Sequence, residues 1–125
     1  MKATLTNYHQ SPQKVRLVAN LIRGKSVPHA RAALTFLSKK SSPAIAKLLD
    51  SAIANARSSG ASADSLIVKT ITVDKGMVMR RGRPFGRGRS GTIRKTSSIV
   101  CIELAPAPAA KKKVARKVRA AKETK

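Results

Sequence analysis

Residues 79 to 92 read M-R-R-G-R-P-F-G-R-G-R-S-G-T, with one proline, one phenylalanine and no acid. The chemistry open to such a run is anion recognition. A guanidinium grips phosphate through two parallel N–H donors and stacks on bases, while glycine lets a backbone approach closely or turn sharply. Phe85 adds a ring that could wedge into or stack on a base. The glycines do not make a nucleotide-phosphate loop, because the Walker spacing with Lys-Ser/Thr is absent. Enzyme chemistry finds little else to work with. The acids are Asp50, Asp64, Asp74, Glu103 and Glu123, widely spaced along the chain, and His9, His29 and Cys101 stand alone. General acid/base or metal chemistry would need these groups to converge in space. The expectation is therefore no catalytic residue, no metal site and no cofactor.

The charge balance points the same way. Twenty-seven Lys and Arg against five Asp and Glu leave a formal net charge of +22 on 125 residues. Such an excess repels itself in a compact monomer, and a polyanion relieves it by replacing the missing acids. Nucleic acid is the first candidate partner and an anionic membrane surface the second. The membrane reading lacks a basic amphipathic helix with aromatic anchors, and no run approaches the roughly 20 apolar residues that span a bilayer. One cysteine excludes an internal disulfide and fits a reducing, cytoplasmic setting.

The elements that must hold the basic run are legible on either side of it. A short extended segment, residues 3–9, precedes S-P-Q-K-V-R-L-V-A-N-L-I-R-G, where Ser11 is placed to cap a helix, Pro12 to begin it and Gly24 to end it. Val15, Val18, Ala19 and Ile22 form one apolar stripe, with Leu17 and Leu21 nearly opposite, so this helix is expected to be covered on two faces. Its remaining strip carries Arg16, Asn20 and Arg23, with Lys14 on another edge. A second helix begins at Ser26, with Val27, Ala30, Ala33, Leu34 and Leu37 on one face. A third begins at Ser42-Pro43, with Ile45, Leu48, Leu49, Ala52, Ile53 and Ala56 in one stripe and Gly60 as its stop. From Leu66 the period changes. L-I-V-K-T-I-T-V-D reads as a strand with Ile67, Ile71 and Val73 on one side, and residues 96–104, T-S-S-I-V-C-I-E-L, read as a second. If the two pair and the pairing continues outward, the turn falls near Pro84 to Gly88, and the arm projects about 35 Å at roughly 3.3 Å per residue. Such an arm is longer than the roughly 13 Å radius of a domain of this size. The tail from about residue 105, rich in Ala, Pro and Lys, is expected to be disordered in isolation.

Several motifs recur together in order: S-P-Q-K-V-R-L-V-A-N-L-I-R-G-K, then S-A-I-A-N-A at residues 51–56, then V-D-K-G before the arginine-rich tract and T-S-S-I after it. Over about residues 3–104 the chain resembles the large ribosomal subunit protein twenty-two family of the bacterial type. That resemblance implies an α+β fold: three helices packed on a small three-stranded antiparallel sheet, with a long β-hairpin at about residues 75–98 protruding from a single globular domain, residues 1–104. It implies a structural protein of the cytoplasmic or organellar ribosome that binds large-subunit rRNA, assists its assembly and lines the peptide exit tunnel with its hairpin tip. Neighbouring large-subunit proteins, the nascent peptide and macrolides near the tip are the further partners implied.

By position, Lys14, Arg16, Arg23 and Lys25 match the family's basic first-helix segment, Arg80 and Arg81 the paired basic residues that open the hairpin, and Gly88-Arg89 its returning limb. With Arg83, Arg87, Arg94 and Lys95 of the same tract, these are the expected rRNA contacts. The tunnel-lining tip is expected at Arg83, Pro84, Phe85, Gly86, Arg87, Gly88 and Arg89. Gly82-Arg83 and Phe85-Gly86 depart from the family pattern, and the limb from Ile93 to Ile99 is one residue shorter than it, with Ser98 where a histidine is common. The alternative left by the residues alone is a free-standing, histone-like nucleic-acid compactor in which the tail does most of the binding.

Overall fold

The change of period at Leu66 is where helix gives way to strand. In a computed structural model describing residues 1–62 and 65–106, the order is β1 (Lys2–Tyr8), α1 (Pro12–Ile22), α2 (Val27–Phe36), α3 (Ser42–Ser58), β2 (Leu66–Pro84) and β3 (Ser90–Pro106). The expected tail, apart from its first two residues, lies outside the described residues. The strands form one antiparallel sheet in the order β1-β3-β2. This is the α+β architecture expected, and β2 and β3 continue past the body as a long hairpin.

The core is aliphatic, as three aromatic residues in the whole chain require. Across the sheet, Ala3, Ile102 and Ile71 share one row and Leu5, Val100 and Val73 the next. These rows, with Leu66, Val68 and Leu104, meet Val15, Val18, Ala19 and Ile22 of α1, Val27, Ala30 and Leu34 of α2, and the whole expected α3 stripe from Ile45 to Ala56. Each fully buried Leu or Ile contributes about 1.5–3 kcal/mol by leaving water. The opposite face of the sheet is polar and carries Lys2, Thr4, Thr72 and Glu103.

Four expectations are corrected. Ser11 and Ser26 occupy N-cap positions but make no side-chain cap bond; each is followed in the first turn by a proline, whose missing N–H is one fewer unpaired donor at that helix end. The N-cap position of the third helix falls at Ser41, one residue earlier than expected and likewise without a side-chain cap bond, with Ser42 inside the helix. The first helix is covered on one face only: Leu17 is 69% exposed and Leu21 37%. The 3.6 period identifies an apolar position without saying what covers it. Finally, Ile67 does not share a face with Ile71 and Val73. Val68 pairs with Leu104 but Thr70 with Glu103, so Lys69 is an extra residue in a bulge. The buried face therefore passes from Leu66 and Val68 to Ile71 and Val73, because one inserted residue reverses a period of two.

The same bulge aligns the outer edge of β2 with α1. Gly24 N–H donates to Val68 O and Val68 N–H to Lys25 O, each at 2.9 Å. Beyond the bulge, Arg23 Nη2 donates to Ile71 O at 3.0 Å, and Arg16 donates through Nε at 3.1 Å and Nη2 at 2.9 Å to Val73 O. Gly24, at φ +74, supplies the left-handed turn that lets the chain leave α1 along this edge.

Candidate nucleic-acid interface

Beyond Asp74 the sheet narrows to two strands. β2 runs on for ten residues to Pro84, about 33 Å at 3.3 Å per residue. Lys75 pairs with Ser98 and Val78 with Thr96, so Gly76 and Met77 together oppose Ser97 in a second bulge. One contact fixes this elbow. Ser97 Oγ donates to Met77 O at 2.8 Å, and a β-carbon on Gly76 would stand 2.8 Å from Ser97 Oγ, so a larger residue there would displace the hydroxyl that makes the bond. The returning limb thus spans the elbow with one residue fewer than the outgoing limb.

From residue 75 to 98 the chain carries Lys75, Arg80, Arg81, Arg83, Arg87, Arg89, Arg94 and Lys95, and no acid. The register distributes them over both faces. Arg80 lies directly opposite Arg94, with Gly82–Thr92 and Pro84–Ser90 continuing that face; Met79–Lys95, Arg81–Ile93 and Arg83–Gly91 form the other. Like charges facing each other across a ladder are destabilising unless an anion stands between or above them. An arm basic on both faces suits a partner that encloses it.

The tip is a closed turn. Phe85 N–H donates to Arg89 O at 2.7 Å, with Arg87 at φ 58 and Gly88 at φ 68 reversing the chain. The Phe85 ring folds back over Gly91, where any β-carbon would fall 2.3 Å from Cε2. Arg83 Cζ lies 5.9 Å from the ring centroid, within reach of a cation–π contact. The ring is 56% exposed, so one side rests on the arm and the other is free for stacking.

The first-helix cations divide into two groups. Arg16 and Arg23 are turned onto the β2 edge, where they hold α1 to the sheet. Lys14 instead faces the arm, lining one depression of about 770 Å³ with Arg94 and Lys95. Lys25 is exposed beside the β2 edge. The same depression contains His9 and Lys40, neither singled out by the sequence, which offers no periodic or motif signal to join positions so far apart.

Among the described residues the acids lie away from the arm tip. Glu103 Oε1 is 2.7 Å from Lys2 Nζ, and Asp50 Oδ1 is 3.6 Å from Arg31 Nε. The hydrogen bond from Lys2, and then its charge, hold the Glu103 carboxyl below its ordinary value and raise Lys2 in turn. Burial pushes the Tyr8 hydroxyl up. Among the described residues no group of three or more His, Cys, Asp or Glu is gathered to hold a metal ion, and no helix is long and apolar enough to cross a membrane.

A small α+β body that extends a two-faced cationic arm free of acids defines a class of basic structural proteins made to lie within a folded polyanion. The ribosomal protein L22p/L17e family model matches residues 3–105, and the chain belongs to that family. It is 48% identical over 102 residues to the large ribosomal subunit protein uL22 of Herpetosiphon aurantiacus, covering 81% of this chain and 90% of that protein. Over 103 residues it is 46% identical to the uL22 protein of Pelobacter propionicus, covering 82% and 93%.

Proposed function

We propose that the protein is a structural constituent of the large ribosomal subunit that binds large-subunit rRNA through its arm and the adjoining end of α1. The observation that carries this reading is the arm itself: eight cations and no acid between residues 75 and 98, with Arg80 facing Arg94. RNA phosphates between and around these side chains offset a repulsion the chain leaves unanswered, and rRNA segments that would repel one another pack about the arm. The body, residues 1–104 apart from the hairpin at about 75–98, sits at the subunit surface, and the tip from Arg83 to Arg89 lines the peptide exit tunnel, where it meets the nascent peptide and macrolides. Arg87 and Arg89 at the turn, and Arg80, Arg81, Arg83, Arg94 and Lys95 along the limbs, contact rRNA, as do Lys14 and Lys25. Arg16 and Arg23 spend donors on β2 and offer only their remaining N–H groups to phosphate. The protein has no catalysis of its own.

Deleting residues 80–91 removes five arginines. The body is expected to stay folded by circular dichroism, with the logarithmic salt slope of rRNA binding falling by about 4.5, at roughly 0.9 per duplex phosphate contact. Loss of the body's fold, or an unchanged slope, would refute the division between body and arm.

A further inference from the structure

The depression at the elbow is lined by His9, Ser11, Lys14, Lys40, Arg94 and Lys95 among others. Its cations come from three separate parts of the chain, and no acid lines it. One wall is held in place by its own contacts. The Tyr8 hydroxyl lies 3.0 Å from Gln10 Oε1 and 3.2 Å from Lys40 O, tying the β1–α1 turn to the segment before α3. Gln10 N–H donates to Tyr8 O at 2.7 Å within that turn, which Asn7 opens at φ 56. Ser11 makes no cap bond to α1, so its hydroxyl remains available at the rim. The other wall is the arm, whose departure angle is set by the Gly76–Met77 bulge.

A second, smaller depression of about 280 Å³ shares Gln10, Lys14 and Lys40 and continues to Lys39 and the exposed Leu17. The two form one track across the molecule: cationic where arm meets body, apolar at its far end. An RNA strand has the same sequence of chemistries, with phosphate oxygens along its backbone and a ribose or base face beside them.

We propose that this elbow track binds the phosphate backbone of an RNA strand, with Lys14, Lys40, Arg94 and Lys95 on its phosphates, His9 and Ser11 as hydrogen-bond donors, and Leu17 against a sugar or base. The site deepens the rRNA-binding function above and rests on it. Its effect is distinct from that of the tip. A strand held by both walls locks the arm to the body, so the arm takes one direction when RNA is bound.

The test uses the full chain. Inorganic phosphate titrated at low salt into ¹⁵N-labelled protein should shift the amides of His9, Gln10, Lys14 and Thr96 most. The K40A/K95A variant should lose those shifts and lower the salt slope for purified bacterial large-subunit rRNA by about 2, at roughly 0.9 per duplex contact. K47A/K69A, an equal loss of charge at exposed positions outside the track, should retain the shifts. Phosphate shifts spread evenly along the arm, or shifts and slope unaltered in K40A/K95A, would overturn the site while leaving rRNA binding intact. Wild-type protein that shows the shifts but no salt-steep rRNA binding would overturn the RNA assignment together with the proposed function.

Discussion

Arg16 and Arg23 provide a quantitative test of what first-helix cations do in this fold. Arg16 donates twice to Val73 O and Arg23 once to Ile71 O, both acceptors on the outer edge of β2. A hydrogen bond of a charged group contributes roughly 1.5–3 kcal/mol when well shielded, but both side chains are exposed, and the neutral-bond range of about 0.5–1.5 kcal/mol is the better guide. The residues lie two turns apart on α1, about 10 Å along its axis at 1.5 Å per residue, so their effects should add. R16M/R23M retains part of the alkyl packing and removes the donors. The expected loss is about 2 kcal/mol, or a fall in melting temperature of roughly 8–16 °C for a domain of this size. Urea unfolding at fixed salt measures it directly, with the midpoint moving and the slope unchanged. R16K/R23K separates charge from geometry: lysine keeps the charge but lacks the fork that lets Arg16 donate twice, so it should recover less than half of the loss. Stability unchanged within about 0.3 kcal/mol in R16M/R23M, beside a large loss of rRNA affinity, would refute the edge-holding role and make both arginines free phosphate ligands.

Other outcomes follow from single contacts. Ser97→Ala should destabilise by about 1 kcal/mol through loss of the bond to Met77 O, whereas Ser98→Ala should be neutral or slightly stabilising, because the buried Ser98 hydroxyl has no partner among the described residues; thermal melts of the two variants distinguish them. Gly91→Ala should displace the Phe85 ring and leave the hairpin register intact, read from ring-current shifts at residues 83–91. Lys2→Met should return the Glu103 carboxyl toward its ordinary titration range by NMR. Glu103's folded-state value is depressed, so the pair's contribution is present above the ordinary carboxylate range and lost as pH falls through the lowered value. The Lys2 value is raised, so the contribution is lost again only as pH rises past the lysine range. High-salt sucrose-gradient sedimentation of cell extract should find the protein with the large subunit, whereas a nucleic-acid compactor would travel with DNA.

What the residues revealed depended on whether the interaction was local. The α3 stripe was legible because a single period of 3.6 runs uninterrupted from Ile45 to Ala56, and all six positions are buried. The hairpin was legible because β-branched sequence flanks a tract too charged to bury. The face of Ile67 was not, since nothing in L-I-V-K-T-I marks Lys69 as the extra residue; the bulge exists because the β2 edge must meet α1 on one side of it and the Gly24–Lys25 segment on the other. Arg16 and Arg23 look like any solvated helix strip, because their acceptors are backbone carbonyls that leave no trace in side-chain identity. His9 and Lys40 escaped for a related reason: the Tyr8 hydroxyl that brings their segments together is one bond between distant parts of the chain.

The elbow at Gly76–Met77 also has a mechanical consequence. A two-stranded ribbon is stiff along its length while its ladder is intact, and here the ladder is interrupted once, just where the third strand ends and the lever begins. A sideways load on the tip is therefore concentrated within a few residues of Gly76, with the Ser97–Met77 bond as the local restraint. Such an arm bends at its root and moves as one piece, so displacement at Phe85 is delivered to the depression where Thr96 and Lys95 of the arm stand across from Lys14 and Lys40 of the body.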